Sequence, residues 1–233
     1  MMRLGLLGAT GRMGVWVTRL AQDEFKEQVQ LVAAPRRGTD LSPLLQCDAV
    51  IDFALPEAMS ALSKLALAMP EGHPMPAFAV ASTGWNLNDR RLLESLAART
   101  PVMIASNFST GMAALVKALR QAGPWLQSQG YVPVITEKHH VHKKDTPSGS
   151  AISLQRAVSP AGPGNVQTLS IRAGEIIGEH EVSFFGRGDE LLFAHYAQDR
   201  SIFARGALQA SIWLAQKRGS PEGKIYSIDS LFD

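Results

Sequence analysis

The sequence predicts an α/β protein in two parts, an N-terminal doubly wound parallel sheet and a smaller α+β domain with an open mixed sheet. Three observations carry this. Over roughly the first hundred residues, short apolar runs alternate with helical stretches, the pattern of parallel strands joined by crossover helices. The first run leads directly into Gly8-Ala-Thr-Gly-Arg-Met-Gly14, a glycine turn that opens a helix. From Tyr131 the character changes to four strand-like runs with one helix among them.

Residues 3–7 form the first strand, and 15–20 the helix after the glycine turn. Strand, glycine turn and helix are the context of a Rossmann-like nucleotide site. Gly8 and Gly11 let the backbone approach a pyrophosphate, and Gly14 lets the helix pack on the strand. The spacing is Gly-x-x-Gly-x-x-Gly rather than Gly-x-Gly-x-x-Gly, so by itself it also fits an ordinary glycine-rich turn. The second strand, 29–34, is followed by Pro35-Arg-Arg37, where an NAD-binding unit often carries Asp or Glu for the ribose hydroxyls. Two guanidinium groups suit a 2′-phosphate, so NADPH is expected to serve at least as well as NADH; the competing reading is an exposed basic turn.

Further strands are expected at 49–54, 78–81 and 102–105, with helices from Pro56 to about 69 and over 88–99. In a doubly wound sheet the ligand lies beyond the carboxyl ends of the strands. The chain ends there at Gly8, Phe53, Ser82-Thr83 and Asn107, which are the expected cofactor lining. Ser109 reads as the N-cap of a helix over 110–121 that stops at Gly123-Pro124. Strands follow at 132–136, 166–172, 180–185 and 190–197, with a helix near 148–157. A long amphipathic helix spans 201–216, and the tail holds one more short strand. The expected division is a dinucleotide-binding domain at 1–108, rejoined by 205–233, and a substrate-binding and oligomerisation domain at 109–204.

The densest chemistry lies between Glu137 and Ser150. His139, His140 and His142, three of the six histidines, are followed at once by Lys143 and Lys144, then by Asp145-Thr-Pro-Ser-Gly-Ser150. No folding requirement gathers donors of one sign, so an anion is expected here. If the strand continues into the histidines, His140 and His142 share one face and His139 takes the other. Thr146 or Ser148 caps the next helix, with Pro147 in its first turn. Gly149 lets a carboxylate or phosphate approach the unpaired N–H groups there. A solvated basic loop is the plainer alternative. A metal is not expected, since zinc sites usually show wider or helical spacing and neither cysteine nor an acidic cluster stands behind the histidines.

Composition excludes other classes. The 233 residues suffice for a sizeable core, and the formal charge of +2, without an arginine stripe among aromatics, does not suggest nucleic acid. Cys47 is the single cysteine, so a reducing cytoplasm is expected, and the N-terminal apolar run is too short for a signal peptide or membrane span.

The chain is identified as a member of the bacterial dihydrodipicolinate reductase family, also called 4-hydroxy-tetrahydrodipicolinate reductase, of lysine and diaminopimelate biosynthesis. The resemblance spans nearly the whole length. It rests on the glycine turn, Ile51-Asp-Phe53, Ser82-Thr-Gly84, Ala105-Ser-Asn-Phe-Ser-Thr-Gly111, Glu137 to Ser150, Ile171-Arg-Ala-Gly to His180, and Asp199-Arg-Ser-Ile-Phe-Ala-Arg-Gly206. The family's E-x-H-H-x-x-K-x-D-x-P-S-G pattern is highly specific. The resemblance implies a small cyclic dicarboxylate held by His140, Lys143, Gly149 and Ser150, with hydride delivered from NADPH or NADH to ring carbon 4. His139 is similar in position to the family's general acid for carbon 3, and Lys143 to its catalytic partner. Cofactor contacts are implied at Gly8, Ala9, Thr10, Gly11, Arg12 and Met13 after the first strand, and at Arg36 and Arg37 after the second. The later strand ends add Phe53, then Ala81, Ser82 and Thr83, then Ala105, Ser106, Asn107 and Phe108.

The chain departs from the family at Ser150, usually threonine, at Ala54, and at Ala81-Ser82, usually Gly-Thr. Arg36 stands where many members carry an acidic ribose ligand, and the connection at 158–166 is shorter than usual. Members form homotetramers through the sheets of the substrate domain, an assembly this shortening could alter. Competing expectations are another two-domain NAD(P)-dependent reductase of amino-acid metabolism, or a catalytically silent nucleotide-sensing module. The presence of His139 and Lys143 speaks against the second.

Overall fold

The computed structural model describes residues 1–159, 166–219 and 222–232. The shortened connection before Val166 lies outside the described residues. The chain divides into two compact units, residues 1–109 with 201–231, and 110–200 with Phe232.

The first unit begins with β1 (Met2–Leu7), α1 (Arg12–Gln22), β2 (Val29–Ala33), a 3-10 turn at Ser42–Gln46, β3 (Ala49–Asp52), α2 (Pro56–Leu67), β4 (Ala77–Val80), α3 (Leu87–Ala97) and β5 (Val102–Ile104). The second unit contains α4 (Thr110–Ser128), β6 (Val132–His139), α5 (Gly149–Val158), β7 (Gln167–Arg172), β8 (Glu179–Phe185) and β9 (Glu190–Tyr196). The chain then returns to the first unit with α6 (Ser201–Gln216) and β10 (Ile225–Tyr226).

The first unit carries a six-stranded sheet in the order β10-β5-β4-β3-β1-β2, with every pairing parallel. Its central strands are buried at every position, as strands covered on both faces must be. Leu44, Met59, Leu62, Leu93 and Leu96 pack one face against Val50, Phe78 and Val102. The order reverses between β1 and β3, which places the topological switch point beside the glycine turn. No helix among the described residues is long and apolar enough to cross a membrane.

The second unit carries a mixed sheet in the order β7-β6-β8-β9; β6 runs parallel to β7 and antiparallel to β8. Ile135, Val182 and Phe184 on one face pack with Leu119 and Leu126 of α4 and Leu154 and Val158 of α5. The opposite face exposes Val132, Leu169, Ile171, Phe185, Leu192 and Tyr196.

Two boundaries differ from expectation for packing reasons. The helix expected to stop at 121 runs to Ser128 with Pro124 inside it. Burial of Leu119 and Leu126 outweighs the hydrogen bond a proline forfeits. The strand expected over 132–136 continues to His139, because it is paired on both sides, to β7 and to β8.

Candidate active site

The carboxyl edge of the parallel sheet in the first unit opens into a cleft of about 620 Å³. Gly8, Ala9, Thr10 and Gly11 after β1, Arg36 and Arg37 after β2, and Phe53 after β3 line it. Gly8 has φ near +90°, and a Cβ there would stand 2.8 Å from the Phe53 carbonyl carbon, so only glycine fits the turn. A Cβ on Gly14 would collide with the Gly8 and Ala9 carbonyls. The helix tip can therefore sit close under the turn. Gly11 caps α1, whose first turn carries no acidic residue, so its free N–H groups and dipole favour an anion. The cradle, the helix tip and the two arginines fit a nicotinamide dinucleotide.

The other expected cofactor residues lie outside the lining of this cleft. Arg12 is exposed and Met13 half-buried in the first turn of α1. Ala81, Ser82 and Thr83 follow β4, and Ala105, Ser106, Asn107 and Phe108 follow β5, the same edge but outside the lining of the cleft. The Phe108 ring is buried edge-on to Phe53 at 6.3 Å, and Asn107 Oδ1 accepts from the Ser109 amide at 2.8 Å. The Ser82 hydroxyl donates a hydrogen bond to Asp52, and the Ser82 carbonyl accepts one from Trp85 Nε1.

Asp52 is fully buried, with the Ala54 amide donating to its other oxygen at 2.9 Å. Burial pushes its pKa up to about 6, against the pull of these hydrogen bonds. The folded chain then holds this proton longer than the unfolded one. The group's contribution is intact below pH 4 and falls by up to about 3 kcal/mol as pH rises toward 6. Asp52→Asn removes the charge; its amide oxygen still accepts from the Ala54 amide, and its amide nitrogen meets the Ser82 hydroxyl as a donor. It is expected to raise the urea midpoint at pH 8 and to leave it nearly unchanged at pH 4; an unchanged midpoint at pH 8 would refute the assignment.

In the second unit, alternation along β6 puts Ile135, Glu137 and His139 on the buried face. Cross-strand pairing sets His180 of β8 directly opposite Glu137. Arg172 ends β7, in register with His139. Glu137 is fully buried. Its Oε1 accepts from Arg172 at 2.8 Å and from the Ser148 amide at 3.2 Å. Its Oε2 stands 2.8 Å from His139 Nδ1, an ion-pair distance, but neither atom has an aligned hydrogen-bond partner. Burial alone would push the Glu137 carboxyl up. His139, Ser148, Ser170 and Arg172 outweigh it and hold the group well below the usual carboxylate range. Burial, and then the nearness of His139, pushes the His180 imidazole down to about 3, so it is neutral near pH 7. Its ring meets that of His139 edge-on at 5.0 Å.

Ser148, not Thr146, caps α5 by accepting from the Ala151 amide at 3.1 Å, and Pro147 precedes the cap rather than entering the helix. Gly149 and Ser150 therefore form the first turn, again without an acidic residue. Between β6 and this helix the chain makes a turn, closed by the Lys143 amide on the His140 carbonyl at 3.1 Å. The strand stops at His139, so strand alternation does not place His140 and His142; the turn brings their rings to 6.1 Å. Lys143 Nζ pairs with Asp145 at 2.8 Å. The unit thus gathers His139, His140, Lys143, Gly149 and Ser150 around one strand end and one helix tip. Sequence reasoning gave no site role to Glu137, Arg172 or His180. Glu137 was detectable two residues before His139 on the same strand face, while Arg172 and His180 arrive through strand register alone.

Two family models match this chain, "Dihydrodipicolinate reductase, N-terminus" over residues 2–108 and "Dihydrodipicolinate reductase, C-terminus" over 111–232. The chain belongs to the dihydrodipicolinate reductase family. It is 40% identical over 220 residues to the 4-hydroxy-tetrahydrodipicolinate reductase of Xylella fastidiosa (strain M12), covering 89% of this chain and 90% of that one. A Wolinella succinogenes protein of the same name is 34% identical across 98% of both chains. Among solved structures, a dipicolinate-bound dihydrodipicolinate reductase from Paenisporosarcina sp. TG-14 superposes with a TM-score of 0.75 at 18% identity, over 97% of each chain. An aspartate dehydrogenase from Thermotoga maritima gives 0.52 at 14% identity, a likeness of fold alone. Membership in the dihydrodipicolinate reductase family makes the protein an oxidoreductase, with a nicotinamide nucleotide as its cofactor.

Proposed function

We propose that this protein reduces 4-hydroxy-tetrahydrodipicolinate to tetrahydrodipicolinate in lysine and diaminopimelate biosynthesis, the 4-hydroxyl first leaving as water to give the dihydro ring. One observation carries the reading: His139 sits beside the ionised Glu137 at the strand end that meets Lys143 and the tip of α5. When bound, the reduced nicotinamide supplies a hydride for ring carbon 4. The Gly8–Gly11 turn and the α1 tip hold the dinucleotide's phosphates. Lys143, His140 and the Gly149 and Ser150 amides hold a ring carboxylate. His139 gives a proton to carbon 3 and completes the two-electron reduction. A reducing cytoplasm suits both the pathway and the single free thiol of Cys47. The test is NADPH oxidation by purified protein on addition of the condensation product of pyruvate and aspartate semialdehyde. Absence of oxidation with that product, or equal oxidation without it, would overturn the reading.

Arg36 and Arg37 border the cleft with no acidic residue in its lining, which supports NADPH as a cofactor used at least as well as NADH. Replacing both by alanine is expected to raise KM for NADPH at least about tenfold, as a lost charge-assisted contact does, with little change for NADH. An equal rise for both nucleotides would contradict a 2′-phosphate contact.

A second copy of the chain is proposed to cover the outer face of the mixed sheet, within a homotetramer. Leu169, Ile171, Phe185 and Leu192 share that face at 43–56% exposure, and large apolar side chains left exposed together on one face mark a contact surface. Leu192→Glu is expected to shift the light-scattering mass from tetramer toward dimer or monomer. A wild-type monomer would refute the proposal.

A further inference from the structure

The arrangement of Glu137, His139 and His180 has the composition of a metal site as well as of an acid. One ligand atom from each lies within 4.8 Å of the others, and all three residues are buried. The sequence hides this set because the three come together by strand geometry. Glu137 and His139 are two apart on β6, and His180 is directly opposite Glu137 on β8, so all three point to one face of one sheet. Glu137 Oε1 is held by Arg172 and Ser148, which leaves Oε2 turned toward the two imidazoles, 2.8 Å from His139 Nδ1 and 4.0 Å from His180 Nε2. Glu137 Oε2 and His139 Nδ1 face each other without an aligned hydrogen bond, although both are buried. Buried polar atoms are seldom left so, and a bound ion is one of the standard reasons.

We propose that Glu137, His139 and His180 form a binding site for a borderline-soft divalent cation of the Zn²⁺ class, whose occupancy silences the reductase. Two imidazoles and one carboxylate are a common zinc set, with a fourth position left open. Nitrogen ligands select this class over Mg²⁺ and Ca²⁺, which take oxygen. The Arg172 guanidinium on the far oxygen of Glu137 opposes any cation, which argues for moderate rather than structural affinity. The silencing rests on the reductase reading. An imidazole ligated through Nδ1 cannot form the imidazolium that gives up a proton, so a bound ion removes the acid without touching the cleft of the first unit.

The test is Zn²⁺ titration of the full chain, stripped with EDTA and then freed of it, against a chromophoric chelator. One Zn²⁺ per chain is expected, with no competition from millimolar Mg²⁺. His180→Asn is expected to weaken binding at least about a hundredfold, since even supporting residues of metal sites account for 10- to 100-fold. His142→Ala is expected to leave binding unchanged. Absence of stoichiometric binding, full affinity in His180→Asn, or loss of binding in His142→Ala would each overturn the site. Because His180→Asn could fail to fold, wild-type crystals soaked in Zn²⁺ provide a second measure. An anomalous peak among the three side chains is expected, and its absence overturns the site. In turnover, Zn²⁺ is expected to inhibit reversibly with EDTA. Stoichiometric binding in a protein that never turns over would sink the reductase reading and leave the site standing, whereas turnover unaffected by bound Zn²⁺ would sink the silencing.

Discussion

His139→Gln is expected to lower kcat by about 10²- to 10⁴-fold, the usual worth of a positioned general acid, while KM for the ring substrate changes little. Glutamine preserves a polar group of similar reach but cannot deliver a proton. The contacts proposed to bind substrate, from Lys143, His140 and the tip of α5, are untouched, so a loss confined to kcat marks an interaction made only in the transition state. Lys143→Ala is expected to damage KM as well. It removes a charge from the anion site and leaves Asp145, now 2.8 Å from Lys143 Nζ, without its cation. Steady-state kinetics on both variants separates the roles. Near-wild-type kcat in His139→Gln would make the assigned acid wrong, and an unchanged KM in Lys143→Ala would remove that lysine from the anion site.

Arg172→Ala is expected to destabilise the second unit by about 3 kcal/mol. That is the low end of the roughly 3–5 kcal/mol lost when one member of a buried ion pair is deleted. The low end applies because the Arg172 side chain is still 17% exposed, whereas Glu137 is fully buried. Arg172 also donates to the Asp145 carbonyl at 2.6 Å, so its loss loosens the turn that carries Lys143. Glu137→Gln added to Arg172→Ala removes the stranded charge and is expected to recover part of the loss, a coupling that a double-mutant cycle measures. Glu137's pKa is depressed in the fold, so its stabilisation is present above the ordinary carboxylate range and is lost as pH falls through the folded value. The gap between wild type and Arg172→Ala should therefore narrow in acid. A gap below about 1 kcal/mol at pH 7, or one that widens in acid, would show that the pair does not support the fold.

The sequence revealed the parallel sheet because each strand there is a closed apolar run followed by a polar or glycine end. Gly8 and Gly14 announced the turn because no side chain fits either place. Helix α6 was legible to the residue, since its buried positions repeat at helical spacing. What could not be read is what register decides. Nothing within residues 167–185 says that Arg172 and His180 will flank Glu137, because pairing on either side of β6 brings them there. The reach of α4 past Pro124 was hidden for a related reason. A local breaking signal is overruled by tertiary burial that only the folded unit displays. In the same way nothing in the run Ala81-Ser82-Thr83 announces that the Ser82 hydroxyl will donate to Asp52, which the fold buries beside it.

The most direct measurement is a crystal structure with the reduced nucleotide and pyridine-2,6-dicarboxylate. One carboxylate is expected on the Gly149 and Ser150 amides with Lys143 Nζ within hydrogen-bond reach, and His139 facing the ring. A dicarboxylate bound away from the β6 end and the α5 tip, or a ring beyond the reach of His139, would contradict the reaction proposed.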